Sequence, residues 1–420
     1  MATSTQLQCQ VSEWQATEAR QTVNGGGPSS KESSFRFEII HQSKRSCARV
    51  GRIYTPHGHI DTPGYVPVAT NAAIKALDIG QVDDQGVQLM FCNTYHLMLH
   101  PGPDAIKKAG GLHPFMGRRR DRPLITDSGG FQVFSLAYGS VHEELHSLKR
   151  GKRGSNQHYS DRKTLVEGVS EEGVRFRSYR DGTSMLLTPE NSVEAQKSLR
   201  ADIILPLDEL PPYHIASGDL SSSVERSHRW EARGLAVHQA NPQGQAMYGI
   251  VHGGSDLLLR QMSARYIASL PFDGVAVGGA LGASREELLT IMQSVMQVLA
   301  TTRLPCHVLG IADPNSIPEL IKLGCDTFDS CYATRAGRHG SVFTNDGSLL
   351  RIASQGNASA YRPPVEDCEC PTCTTHTLAY LHHLVKTKEP IAASLLSLHN
   401  VHYMCRLMER FRNAIMNDVI

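Results

Sequence analysis

From Phe35 to beyond residue 330, short apolar runs alternate with helical stretches. This alternation confines the chain to a parallel sheet with helical crossovers. Candidate strands are residues 87–91, 124–126, 203–207, 247–251, 274–277 and 307–310. Helix starts lie between several of them. Thr188 before Pro189 sets a cap ahead of a first-turn proline, and Ser284-Arg285-Glu286-Glu287 has the spacing of a capping box. A closed barrel and an open, doubly wound sheet both generate such a pattern, and the polar residues decide between them. Asp127, Asp208, His252, Gly278-Gly279 and Asp329 each follow directly on an apolar run, as residues at the C-terminal mouth of successive barrel strands would. An open sheet concentrates its ligands at one switch point. The expected fold class is α/β, a (β/α)8 TIM barrel.

The pattern divides the chain into three parts. Residues 1–34, with Gly25-Gly26-Gly27-Pro28-Ser29-Ser30 and little apolar periodicity, read as a disordered N-terminal tail. Residues 35–362 form the barrel domain, with an insertion at about 142–170 whose basic turn is Lys149-Arg150-Gly151-Lys152-Arg153-Gly154. Residues 363–420 form a metal-binding subdomain and C-terminal helices. The tail has no apolar h-region for a signal peptide, and Glu13 and Glu18 speak against a transit peptide. No stretch approaches the roughly 18–20 apolar residues of a membrane span, so no membrane partner is expected. Hydrophobic residues make up 40% and charged residues 20%, which allows an ample core. The formal net charge is +1, so any nucleic-acid site must concentrate positive charge locally.

Ten cysteines are too few for a disulfide scaffold of this size, and three crowd into Cys368-Glu369-Cys370-Pro371-Thr372-Cys373. That density suits a metal in a reducing compartment, with the cytoplasm as the default. Tetrahedral zinc needs a fourth ligand, and His376, His382, His383, His399 and His402 are all candidates. His376 is close enough to strain the ring closure, whereas His399 lies far enough on for a helix to go out and return. A closed Cys3His site has no open position for water, so its role is structural and catalysis lies elsewhere.

Two segments carry the chemistry. Asp127-Ser128-Gly129-Gly130-Phe131-Gln132 sets an acid, a hydroxyl and two glycines after an apolar strand. The second, Cys325-Asp326-Thr327-Phe328-Asp329-Ser330-Cys331, leads into Ala333-Thr334-Arg335-Ala336-Gly337-Arg338, where two arginines flank an expected flexible loop. One carboxylate able to attack an anomeric carbon, a second to manage protons and arginines for phosphate are what glycosyl transfer on a nucleotide needs. Each has a bland alternative. An aspartate before Ser-Gly-Gly is often a turn or helix cap, and the arginines could be a solvated face.

Residues 35 to about 415 resemble the tRNA-guanine transglycosylase (queuine tRNA-ribosyltransferase) family. The matching words are Asn93-Thr94-Tyr95-His96-Leu97, the Asp127–Gln132 segment, Glu172-Gly173-Val174-Arg175-Phe176, Phe328-Asp329, Thr334-Arg335-Ala336-Gly337-Arg338 and the cysteine knuckle with His399-Asn400. The resemblance implies a TIM barrel with a structural zinc subdomain and no nucleotide cofactor. It implies that Asp329 is the nucleophile that displaces guanine and holds the ribose covalently, and that Asp127 is the general acid/base. It assigns base contacts to Ser128, Gly129, Gly130, Phe131, Asp208, His252, Gly278 and Gly279. RNA contacts are implied for Gly310, Ile311, Ala312, Asp313, Pro314, Asn315 and Ser316, and for Thr334, Arg335, Ala336, Gly337 and Arg338. Zinc ligands are implied at Cys368, Cys370, Cys373 and His399. The expected partners are a tRNA with a GUN anticodon, a deazaguanine base, and a second protomer in a homodimer or heterodimer.

The sequence departs from the family at four places. His252 stands where glutamine is usual and offers one hydrogen bond instead of the amide's paired pattern. Gly282 and Ser284 replace a bulky aliphatic and an acid suited to the small cationic precursor 7-aminomethyl-7-deazaguanine. Leu210 follows Asp208-Glu209 where bacterial enzymes often carry cysteine. These three point to a roomier pocket and to queuine as incoming base. Ala333 replaces a proline and is expected to loosen the loop after Asp329. A non-catalytic partner subunit would lack the nucleophile, and a generic two-carboxylate glycosidase does not account for the arginines.

Overall fold

The structure, a computed structural model, describes residues 35–138, 165–213 and 215–420. The expected tail and the larger part of the expected insertion, 142–164, lie outside the described residues. Eight parallel strands close into a barrel. In chain order they are β4 (Gly64–Ala69), β5 (Met90–Cys92), β6 (Leu124–Thr126), β10 (Ile203–Ile204), β11 (Ala246–Val251), β12 (Gly274–Val277), β13 (Cys306–Val308) and β14 (Thr327–Ser330), with β14 pairing back onto β4. This is the (β/α)8 architecture that the alternation pointed to.

Side chains alternate across each strand. Val66, Phe91, Ile125, Ile203, Tyr248, Ile250 and Ala276 share one interior cluster. Their neighbours Tyr65, Met90, Leu124, Ile204, Met247 and Val275 belong to the larger cluster under the surrounding helices. The N-terminal end is closed by an antiparallel sheet of β1 (Arg36–Gln42), β2 (Arg49–Thr55) and β3 (Gly58–Thr62), whose Ile53 and Ile60 join the interior cluster. Arg49 fastens this sheet to the foot of β14: its guanidinium donates to both oxygens of Asp326, at 3.0 and 2.6 Å.

A second antiparallel sheet, β7 (Val166–Val169), β8 (Val174–Arg177) and β9 (Ser184–Leu187), precedes β10. Val174, Phe176 and Leu187 pack with Tyr95, Phe134, Leu207 and Trp230, so it leans on segments that follow β5, β6 and β10. After β14 come the helix Tyr332–Arg338, the hairpin of β15 (Ser341–Phe343) and β16 (Leu349–Arg351), and helices Pro371–Thr375, Leu378–Lys386 and Pro390–Met416. The expected flexible loop between Arg335 and Arg338 is therefore corrected to helix. Ala333 does not loosen it, because Ala333 is buried and its carbonyl accepts from Asn400 Nδ2 at 2.9 Å.

Candidate active site and metal centre

Seven consecutive barrel strands bring polar groups to one mouth. Asn93 follows β5, Asp127 follows β6 and Asp208 lies just beyond β10. His252 follows β11, Gly278-Gly279 follow β12, Gly310 follows β13, and Asp329 sits inside β14. Asp329 is nearly buried. Its Oδ1 accepts from His307 Nε2 at 3.1 Å and from the Gly310 amide at 2.9 Å. Both bonds fall on one oxygen, so among the described residues Oδ2 is the carboxylate oxygen left without a donor. His307, inside β13, is turned by Thr327 Oγ1 at 2.8 Å from its Nδ1.

Asp127 is held on both oxygens. Asn93 Nδ2 and Gln132 Nε2 donate to Oδ2 at 2.7 and 2.8 Å, and the Thr94 amide donates to Oδ1 at 2.7 Å. Burial raises its pKa above the usual carboxylate range; the three donors oppose that rise and Asp329 adds to it. The Gly129 backbone runs at φ +88°, and a Cβ there would meet Tyr95 N at 3.2 Å, so this turn keeps its shape only with glycine. Ser128 is buried beneath it. Phe131, at the start of the helix Gly130–Tyr138, is 53% exposed and offers a ring face at the mouth.

Burial also raises Asp208, to about 7, with Asp127 adding to the effect. His252 Nε2 lies 3.7 Å from Asp208 Oδ2 and 3.2 Å from Glu231 Oε1. Arg260, fully buried, joins the two neighbouring loops: it donates to the carbonyls of Val251, Gly254, Gly278 and Ala280 at 2.7–3.0 Å. A cavity of about 320 Å³ opens beside these loops, lined among others by Pro211, Tyr213, Leu220, His252, Gly279 and Ala280. Gly282 contributes differently from the expectation. A Cβ on it would meet Glu287 Cβ and Cγ at 2.9 Å, and its φ is +98°. Its missing side chain makes room for the helix Arg285–Leu299, and Ala280, not Gly282, lines the cavity.

The other expected contacts fall into two groups. In the segment after β13, Gly310 and Asn315 are exposed, Ile311, Asp313 and Pro314 half-buried, and Ala312 and Ser316 buried. Asp313 Oδ1 accepts from the amides of Asn315 and Ser316 and fixes the turn. In the helix Tyr332–Arg338, Arg335 is exposed, Arg338 is half-buried against Thr334 Oγ1, and Thr334, Ala336 and Gly337 are buried. Direct ligand contact from the Thr334 and Ala336 side chains is thus limited, and with Gly337 they serve the packing beneath the arginines. Glu231, Arg260 and His307 surround these groups and were not singled out by sequence reasoning, while Asn93 and Gln132 stood in the quoted motifs without a role of their own. Asn93 carries the same signal as Asp127, a polar residue directly after an apolar run. His307 is hidden inside its strand and Glu231 and Arg260 inside helices.

Cys368, Cys370, Cys373 and His399 bring their ligand atoms within 4.8 Å of one another, a group that could hold a metal ion. His399 Nδ1 lies 3.7, 3.3 and 3.2 Å from the three sulfurs. Ligands at roughly 2.0 and 2.3 Å around a tetrahedral ion stand about 3.5 Å apart, so the donor set and spacing fit zinc. His399 Nε2 donates to the Phe343 carbonyl at 2.8 Å, which fixes Nδ1 as the ligand atom. Of the other candidates, His382 is engaged with the Ile352 carbonyl and His402 with Gln85.

A sequence model of the family described as queuine tRNA-ribosyltransferase matches residues 44–167 and 152–420. A queuine tRNA-ribosyltransferase of Protochlamydia amoebophila is 52% identical over 386 residues, which covers 92% of this chain and 96% of the relative. The proteins of that name from Chlamydia muridarum and Chlamydia caviae are each 48% identical, covering 92% of this chain and 99% and 100% of their own.

Proposed function

This chain belongs to the queuine tRNA-ribosyltransferase family, and we propose that it exchanges guanine at the wobble position (G34) of GUN-anticodon tRNAs for queuine. Asp329 Oδ2 attacks C1′ of the ribose as the C1′–N bond to guanine breaks, and the leaving guanine takes its proton from Asp127 acting as general acid. The ribosyl–Asp329 ester is then opened by the incoming base, whose proton passes to Asp127. Splitting one displacement into two leaves the RNA chain intact and requires no nucleotide cofactor. The observation that carries this reading is the pair of buried carboxylates at one barrel mouth, each fixed by named donors.

Extrusion of the base from an anticodon loop costs less than from a duplex, and the exposed Phe131 ring supplies a stacking surface for it. The exposed Arg335 and the polar turn 310–316 flank the nucleophile and suit the phosphates on either side. The cavity beside Gly279 and Ala280 supports queuine over its smaller precursor, because it leaves volume for a bulky 7-substituent. Zinc is the expected occupant of the cysteine–histidine group, in a structural role, in a cytoplasmic enzyme that works as a homodimer or heterodimer.

Incubation with tRNA carrying guanine at the wobble position tests the chemistry. A denaturant-stable protein–RNA adduct is expected for the wild type and none for Asp329→Ala or Asp329→Asn. An undiminished adduct in those variants removes Asp329 as nucleophile. Competing queuine and precursor bases in the same exchange assay checks the second half, and faster incorporation of the precursor rejects queuine.

A further inference from the structure

Glu231 is a fully buried acid that the exchange chemistry above does not use. It lies in the helix Ser217–Ala240, away from the strand ends that supply the rest of the site. Its Oε2 accepts from the Ile250 amide at 2.8 Å, which fixes the carboxyl against β11. Among the described residues its Oε1 is buried without a satisfied hydrogen bond, and so is Nε2 of the buried His252; the two atoms are 3.2 Å apart. Two orphaned polar atoms facing each other at that distance, each of which would otherwise cost about 1–3 kcal/mol, form one hydrogen bond with a small rotation.

The direction of that bond follows from the surroundings. The groups facing His252 are Asp208 from the segment after β10, Glu231 and His228 from the helix Ser217–Ala240, and Arg260 from the helix Leu257–Ser269. Burial, with Arg260 and His228 adding to it, pushes His252 well below the usual imidazole range and keeps the ring neutral. Burial and the nearby Asp208 push Glu231 well above the usual carboxylate range and keep it an acid. A carboxylic acid donates its O–H to Nε2, and a neutral imidazole that accepts at Nε2 carries its proton on Nδ1. The ring lines the cavity beside Gly279, so this tautomer offers a donor to a ligand there.

We propose that Glu231 is a positioning residue of the base pocket, which locks His252 in the Nδ1–H tautomer that donates to the oxo edge of an incoming deazaguanine-type base. The proposal rests on the base-exchange reading and adds a specificity device to it. Asp208, whose Oδ2 stands 3.7 Å from His252 Nε2, takes the amidine edge in the same reading. Together they discriminate a base with an oxo group beside a ring N–H from one with an amino group at that place.

The test is guanine exchange into tRNA, with kcat and KM for the free base measured in Glu231→Leu, Glu231→Gln, His252→Gln and the Glu231→Leu/His252→Gln double variant. Glu231→Gln, whose amide still donates to Nε2, keeps the wild-type KM, whereas Glu231→Leu loses one neutral hydrogen bond and raises the base KM by up to about 10-fold, with kcat changed little. In the His252→Gln background Glu231→Leu moves KM less than about 2-fold, because an amide has no tautomer to lock. An equal KM increase in both backgrounds, or none in either, overturns the proposal. If Glu231→Leu does not fold, wild-type protein with 15N-labelled histidine decides, with His252→Gln assigning the signal. A neutral Nδ1–H ring supports the proposal, and an Nε2–H ring or an imidazolium overturns it. Absence of wild-type exchange would instead refute the base-exchange reading, and the tautomer measurement stays independent of it.

Discussion

Asp127 and Asp208 are both buried carboxyls, yet the structure treats their charges differently. Burial raises both; three donors converge on Asp127 and oppose the rise, whereas Asp208 has only Ser128 and its own backbone amide against it and stays up at about 7. If Asp208 binds the base as a carboxylate, base affinity must improve as pH rises through about 7. The base KM is expected to fall with rising pH up to that point and then level off, and Asp208→Asn to abolish the dependence; a flat wild-type profile counts against this role. Stability runs the other way. A carboxyl raised on folding contributes stability that is complete below its unfolded pKa and lost as pH rises through its folded one. Asp208→Asn therefore melts above the wild type at pH 8, and the gap closes toward pH 4. At this scale the sequence was legible wherever a polar residue ends an apolar run, as at Asp127, Asp208 and His252. It was silent about His307, Glu231 and Arg260, whose partners come from distant segments and whose own neighbours give no periodic signal.

At the scale of elements, six of the eight barrel strands were anticipated as apolar runs. The two missed are β4, where Pro67 interrupts the pattern, and β14, where Thr327, Asp329 and Ser330 make the strand polar. Caps were readable too: Thr188 caps its helix with Asn191 in a reciprocal box. Ser284 accepts from the Glu287 amide, but the Glu287 side chain returns to Ala283 and not to Ser284. The helix after Asp329 was read as a loop because Gly337 and the arginines disguise it. Gly337 is there for contact. A Cβ on it would stand 2.5 Å from Ser397 N in the helix Pro390–Met416. Beside that contact, Asn400 clips the Ala333 and Ser341 carbonyls at 2.9 and 3.0 Å. Gly337→Ala is expected to destabilise by about 1–3 kcal/mol through overpacking, seen as a lower Tm by calorimetry, and to slow exchange by shifting Arg335. A Tm within error of the wild type would show that the two helices yield.

At the scale of the molecule, the cysteine–histidine group and Asp329 share one support. His399 belongs to the group that could hold a metal ion, and Asn400, the next residue, anchors the helix that follows Asp329. Chelation is accordingly expected to lower Tm and exchange activity together, with zinc restoring both; stoichiometric metal loss that leaves Tm unchanged would refute a structural role. The same long helix also reaches the opposite end of the chain. Arg412 donates to the Pro63 carbonyl, 349 residues earlier, and Asp418 pairs with His41. β4, which opens the barrel, finds its closing partner only in β14. A ribosome thus delivers the first stave of the barrel long before the last stave and the clasp that covers it. The nascent chain must carry an unsealed wall through most of its synthesis, and a holding chaperone has its longest window of use at β4.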